Sequence, residues 1–186
     1  MGDRFFAAVV PPADVLDELD RMVDPRRDDA WGWSDPEHWH VTLAFYESVD
    51  GWRYEPLVDA LTAAAARTAS FPLSFEGVGC FASAARANVL YAAVDDVTAS
   101  LPPLAARCHT AATTVGIEVA RQKFHPHLTL ARRRRAADAT KHLKALVGLY
   151  SSVWQVSEIA LVQSFLGQGR GGRPRYEVRE RLPLST

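Results

Sequence analysis

The sequence predicts an α+β fold built from two similar halves, and three observations carry that reading. The frame His40-Val41-Thr42-Leu43 returns as His127-Leu128-Thr129-Leu130, 87 residues later. Around each copy the same order of elements recurs: strand, helix, His-bearing strand, helix, strand, at an offset of roughly 83 to 87 residues. Within those elements the apolar period switches between two residues, the strand spacing, and three to four, the helical spacing. Six histidines and ten threonines in 186 residues would give roughly 0.3 His-x-Thr pairs by chance. Two pairs in matched apolar frames exceed that.

In chain order, Phe5–Val10 reads as a short buried strand closed by Pro11-Pro12. A helix over residues 14–23 follows, with Val15, Leu16, Leu19, Met22 and Val23 on one face. Residues 24–31 form a charged loop, and residues 33–37 lead into the first His strand, 39–45, which residues 46–51 leave. Leu57, Leu61 and Ala64 mark a second helix ending near Ser70. Residues 71–81 alternate as a strand whose Gly77 and Gly79 suggest a bulge, and 82–88 is a small-residue loop.

The second half opens with a strand over 89–94. A helix over 100–115 carries Leu101, Leu104, Cys108, Ala112 and Val115 on one stripe, has Pro102 and Pro103 in its first turn, and closes at Gly116. The second His strand, 124–131, precedes a helix over 136–147 with Leu143, Leu146 and Val147 inward. Residues 153–166 read as one long strand, the partner of 71–81. A Gly/Arg loop over 168–173 and a last strand over 175–184 complete the chain. Residues 1–186 are read as one domain of two pseudo-symmetric lobes.

Hydrophobic content of 48% and charged content of 23% are those of an ordinary globular chain. A net charge of −1 argues against a protein that coats long nucleic acid nonspecifically, while leaving room for a small anionic ligand. Cys80 and Cys108 fit no metal spacing and read as buried free thiols. The start of the chain carries Asp3 and too short an apolar run for a signal peptide. With no 18-residue apolar run, no membrane span is expected and the default compartment is the cytoplasm.

The chemistry follows from the repeated strand. Residues i and i+2 of a strand share a face, so each His stands beside its Thr, and the intervening apolar residues face the core. If both His strands are central, His40 and His127 face each other across one cleft. One imidazole can then take a proton while the other, already protonated, gives one. The hydroxyls of Thr42 and Thr129 can donate to phosphate oxygens, and Arg132, just past the expected strand end, can add a charge-assisted contact. The reaction that fits is water attack on a phosphodiester with a sugar oxygen leaving. A strained cyclic phosphate needs no metal for this, and no cofactor is expected.

The residues also resemble a known family. Arg4-Phe5-Phe6-Ala7-Ala8 with Pro11-Pro12, the run Trp33 to Phe45, and Phe124-His125-Pro126-His127-Leu128-Thr129-Leu130-Ala131-Arg132 are similar to the 2H phosphoesterase superfamily. The likeness is specifically to RNA 2′,3′-cyclic phosphodiesterase, the 2′-5′ RNA ligase family. Leu161-Val162-Gln163-Ser164 and Arg175-Tyr176-Glu177-Val178 extend it over nearly the whole chain. The resemblance implies a bilobal α+β fold, two antiparallel sheets lining a central cleft with helices outside. It implies hydrolysis of RNA or nucleotide 2′,3′-cyclic phosphates to 2′-phosphates, with 2′-5′ joining as the reverse reaction. His127 would act as base and His40 as acid, and no obligate protein partner is implied. The sequence departs from the family at Tyr46-Glu47, where relatives commonly have Leu-Gly, and at His38, often Asn. Both departures are expected beside the site, where they would bear on substrate preference.

Other readings fit some of the same residues. A non-catalytic module could use the cleft to bind phosphorylated RNA ends. His38-x-His40 and His125-x-His127 could present metal ligands in a metal-dependent enzyme, although no carboxylate pairs with them in sequence. Beyond Arg132, the Arg132–Arg135 run reads as a solvated face at a helix start. Trp31, Trp33 and Trp39 read as core or lining before they read as base-stacking platforms.

Overall fold

The computed structural model describes residues 2–120 and 123–186; Met1, where the leader reading begins, lies outside them. Nine strands and four helices are described: β1 (Asp3–Val9), α1 (Ala13–Val23), β2 (Gly32–Trp33), β3 (Val41–Val49), α2 (Gly51–Ala66), β4 (Phe71–Phe81) and β5 (Ala87–Asp95) in the first part of the chain. After them come α3 (Leu101–Thr114), β6 (His127–Ala137), α4 (Thr140–Ala145), β7 (Trp154–Val156), β8 (Glu158–Phe165) and β9 (Arg175–Pro183). The expected α+β architecture is present. The strands run β7-β4-β5-β6-β3-β1-β8-β9, with β2 beside β6, and every ladder between them is antiparallel.

The two sheets expected on either side of a cleft meet at one register pair, Val41 with Leu128, which joins them into a single curled sheet. Those residues follow His40 and His127 and occupy the same place in the two copies. The two copies of the repeated frame thus meet at matching positions. The halves are also interlocked. β4, which ends the first half, pairs with β5 of the second, and β8, from the end of the second, pairs with β1 of the first.

Helices cover the far face. The α1 stripe buries Val15, Leu19 and Val23, and α2 buries Leu57, Leu61 and Ala64. α3 buries Leu101, Leu104, Cys108 and Ala112. Trp31, Trp33 and Trp39 are all buried, as expected. Cys108 is buried too, which pushes its thiol up to about 12, whereas Cys80 is only partly covered. No helix among the described residues is long and apolar enough to cross a membrane.

Several expectations need correction. The first His strand runs on to Val49, and α2 starts at Gly51, so no connecting loop separates them. Tyr46 does not lie beside the cleft: it is fully buried on the helix side, and its hydroxyl donates to the Cys108 carbonyl at 3.2 Å. The helix expected over 136–147 shrinks to Thr140–Ala145, because β6 continues to Ala137; Val147 is exposed rather than inward. The arginine run therefore sits on a strand and not at a helix start. The long strand over 153–166 breaks at Ser157: only Trp154–Val156 pairs with β4, while β8 lies between β1 and β9.

Candidate active site

Both His–Thr pairs reach the same place. His40, Thr42, His127, Thr129 and Arg132 line one cavity of about 280 Å³, together with His38, Phe45, Arg173 and Tyr176. His40 immediately precedes β3 and His127 opens β6, so the Val41–Leu128 pair brings both histidines to the one cavity.

A matched pair of bulges completes the wall. Ala7 pairs with Ala44 and Ala8 with Thr42, leaving Leu43 as an extra residue on β3. Leu90 pairs with Ala131 and Tyr91 with Thr129, leaving Leu130 as the extra residue on β6. Each bulge reverses the strand's alternation. Leu43-Ala44 and Leu130-Ala131 are consequently buried as neighbours, and the next residues, Phe45 and Arg132, turn back to the cavity face. Arg132 is thus held within the strand, and its guanidinium donates to the Thr129 hydroxyl at 3.2 Å. The apolar doublet after each His-x-Thr is the sequence signal for the bulges.

Phe45 and Arg132 occupy equivalent positions, and here the symmetry breaks. One lobe offers an exposed aromatic ring, 52% accessible, where the other offers a cation. The histidines themselves are held alike. His40 Nδ1 lies 2.7 Å from the His38 carbonyl, and His127 Nδ1 lies 2.7 Å from the His125 carbonyl. A carbonyl only accepts, so Nδ1 carries the hydrogen in each ring and Nε2 is the atom left for chemistry.

The surroundings are apolar and aromatic. His40 stacks on Phe6 at 4.6 Å between ring centres and meets the edge of Tyr176 at 5.5 Å. Phe6 belongs to a small apolar cluster with Ala8, Ala160 and Val162, backed by Tyr176. His127 sits edge-on to Phe81 at 4.7 Å and to Tyr91 at 5.5 Å. Gly79 makes room for Tyr91: a methyl group there would lie 2.4 Å from the ring.

Burial in these surroundings disfavours the imidazolium, and the Arg132 charge adds to the effect. His40 is lowered to about 4, with burial the main cause, the His38 carbonyl opposing it, and Arg132 and His127 reinforcing it. His127 is lowered for the same first reason, with the His125 carbonyl opposing it and the His125 ring and Arg132 reinforcing it. With the cavity free, both rings are therefore neutral at pH 7.

The two His-x-His segments are not strand pairs. His38 ends a short 3-10 turn before β3, and His125 precedes β6. His125 Nε2 is instead 3.1 Å from the Tyr91 hydroxyl. Among the described residues, the donor atoms that gather within 4.8 Å of one another belong to Asp35, Glu37 and His38, of which Asp35 and His38 line the cavity. Phe6, Tyr176 and Arg173 escape the sequence reading as site residues, because sheet pairing and the 168–173 loop bring them in from distant segments. The Arg173 guanidinium donates to the Trp33 carbonyl, which fixes it at the cavity edge.

Known proteins resemble this chain in sequence and in fold. A family model described as the 2′-5′ RNA ligase superfamily matches residues 11–166. The chain is 31% identical over 154 residues to an RNA 2′,3′-cyclic phosphodiesterase of Geobacillus stearothermophilus, covering 82% of this chain and 47% of that protein. It thus spans about half of that relative's length. A protein of the same description from Aeropyrum pernix is 31% identical over 153 residues, 77% of this chain and 82% of that one. Among solved structures, TT0787 of Thermus thermophilus superposes with a TM-score of 0.80 at 26% identity, covering 97% of each chain. Escherichia coli LigT complexed with 3′-AMP shares the fold with a TM-score of 0.78 at 22% identity, covering 100% of each chain.

Proposed function

The chain belongs to the 2′-5′ RNA ligase superfamily, and from that premise we propose that it hydrolyses 2′,3′-cyclic phosphate ends of RNA or nucleotides to 2′-phosphates, without a metal. The observation that carries the reading is the convergence of both His–Thr pairs and Arg132 in one cavity, each imidazole with Nε2 free. The two RNA 2′,3′-cyclic phosphodiesterases at 31% identity support it.

In this scheme the cyclic phosphate lies between the histidines, its oxygens on Thr42, Thr129 and Arg132. His127 Nε2 takes a proton from water, the water oxygen bonds to phosphorus, the P–O3′ bond breaks, and His40 Nε2 gives its proton to the departing O3′. The product carries a 2′-phosphate and a 3′-hydroxyl, with no atom or charge unaccounted for. Phe45 supports this direction: an aromatic ring on the His40 side suits a nucleoside, so the leaving ribose oxygen falls to His40. Charge that builds on phosphorus in the transition state meets Arg132 and two hydroxyls, which is the work a metal would otherwise do. Running backwards with a 5′-hydroxyl in place of water, the same groups would form a 2′-5′ bond, weakly in dilute solution.

The free site holds one proton fewer than this scheme requires. Burial is the larger cause of the depression of both rings. A bound phosphodiester anion favours the imidazolium and offsets the smaller part that Arg132 contributes, so the site takes up the proton more readily with substrate bound and below pH 7. We read the chain as one domain, supported by the continuous sheet and exchanged strands, acting in the cytoplasm on RNA ends with no obligate protein partner.

Turnover of a 2′,3′-cyclic nucleotide tests the reading against a binding module. His40→Ala or His127→Ala should each lower turnover by about 10² to 10⁴-fold, the usual worth of one acid or base. Thr42→Ala or Thr129→Ala should cost less, each removing a hydrogen bond to a charged group worth about 1.5–3 kcal/mol. Near-full activity in folded His40→Ala would end the paired-site account.

A further inference from the structure

Beyond Arg132, β6 leaves the sheet. Ala87 pairs with Ala137 and Val89 with Arg132, so five steps on β6 oppose two on β5, and three extra residues bow outward. The bow starts at the cavity rim and carries Arg133, Arg134 and Arg135. Arg133 is spoken for: its guanidinium lies over the Trp31 ring at 5.3 Å. Arg134 and Arg135 are exposed. No carboxylate among the described residues lies within 4 Å of either one's charged group. The carboxylate next along the segment, Asp138, is turned to the Thr140 backbone N–H at 2.7 Å. In a chain of net charge −1, this is a local concentration of unneutralised cations.

We propose that Arg134 and Arg135 form a subsite for the RNA backbone next to the cleavage cavity, making an oligoribonucleotide end a better substrate than a cyclic mononucleotide. Strand residues advance at most about 3.3 Å each, so the backbones of Arg134 and Arg135 lie no more than roughly 7 to 10 Å from that of Arg132. That is the reach needed to meet the phosphate next to one held at Arg132. Exposed, unpaired guanidiniums bind phosphate by charge-assisted, bidentate contacts without reading sequence. The inference rests on the proposed phosphodiesterase reading for the end group, and on the bowed arginines alone for the chain behind it.

The test compares kcat/KM for a 2′,3′-cyclic mononucleotide and for a five-residue oligoribonucleotide with the same end, at 50 and 200 mM salt, in wild type and in Arg134→Gln/Arg135→Gln. Wild type should favour the oligonucleotide by about tenfold or more at low salt, with the advantage shrinking as salt rises. The double variant should lose that advantage while turning over the mononucleotide unchanged. Equal losses on both substrates, or no oligonucleotide preference in wild type, would overturn the subsite. Anisotropy of the labelled oligonucleotide ending in a 2′-phosphate gives a readout free of catalysis. Wild type should bind it about tenfold more tightly than the variant, and more tightly than a peptide of equally many glutamates. Indifference between the two proteins or between the two ligands would reject an RNA subsite. Failure to turn over the mononucleotide would instead count against the end-group chemistry and leave this binding comparison to decide.

Discussion

At the scale of single residues, the histidines decide the pH behaviour. Both titrate below the ordinary imidazole value of about 6.5 in the free protein, His40 at about 4. The acid must be protonated and the base free, so kcat/KM should be bell-shaped with its maximum below about pH 6.5; its limbs belong to the pair rather than to a named ring. The same depression fixes the sign for stability. Between about pH 4 and 6.5 the unfolded chain binds more protons than the folded one, so stability is full above 6.5 and falls as pH drops through that window. Denaturant titrations at pH 7 and pH 5 should show the loss, and His40→Phe should shrink it. A rate profile flat from about pH 5 to 8 would argue against histidine acid–base chemistry.

Residue by residue, much of the site is legible without the fold. The two His-x-Thr frames name four cavity residues, since strand parity alone puts each hydroxyl beside its imidazole. Arg132 is legible too, but for an incomplete reason: it faces the cavity because Leu130 is an extra residue in β6. Tyr176 and Phe6 cannot be placed from local pattern, because only the β8–β9 and β1–β3 pairings carry them to His40.

Among elements, β1, β4, β5 and β9 can be read to within two residues, and the larger errors fall at the ends of the two His strands. The Arg132–Ala137 stretch has neither period, so nothing local says that β6 persists through it and leaves α4 six residues. The bulge expected at Gly77 is present, with a register shift between Phe75 and Val78 and a φ of +84° at Gly77. Gly79 has a different reason, which yields a prediction for β4. In Gly79→Ala the new methyl would drive the Tyr91 ring away from His125 and His127. The tip of a tyrosine can move, so the fold should survive while kcat falls about tenfold through misplacement of the His127 ring. Circular dichroism and single-turnover rates separate the two effects; unchanged rates would show that Tyr91 does not position His127.

Over the whole molecule, duplication with exchange of β4 and β8 makes the cavity a property of both halves at once. Neither half owns a sheet without a strand from the other, and the Val41–Leu128 pair joins the two where His40 and His127 line one cavity. In the proposed scheme the difference between Phe45 and Arg132 gives the two similar frames a direction. The repeat of elements is visible in the sequence but the exchange is not, since strand order within a sheet is set by pairing between distant segments. The measurement that tests this account most directly is the product of a 2′,3′-cyclic nucleotide incubated with the protein in excess chelator, separated against authentic 2′- and 3′-phosphates. Complete conversion to the 2′-phosphate is expected. A 3′-phosphate would invert the roles of the lobes, and a substrate untouched until zinc or manganese is added would contradict metal-free catalysis by the histidine pair.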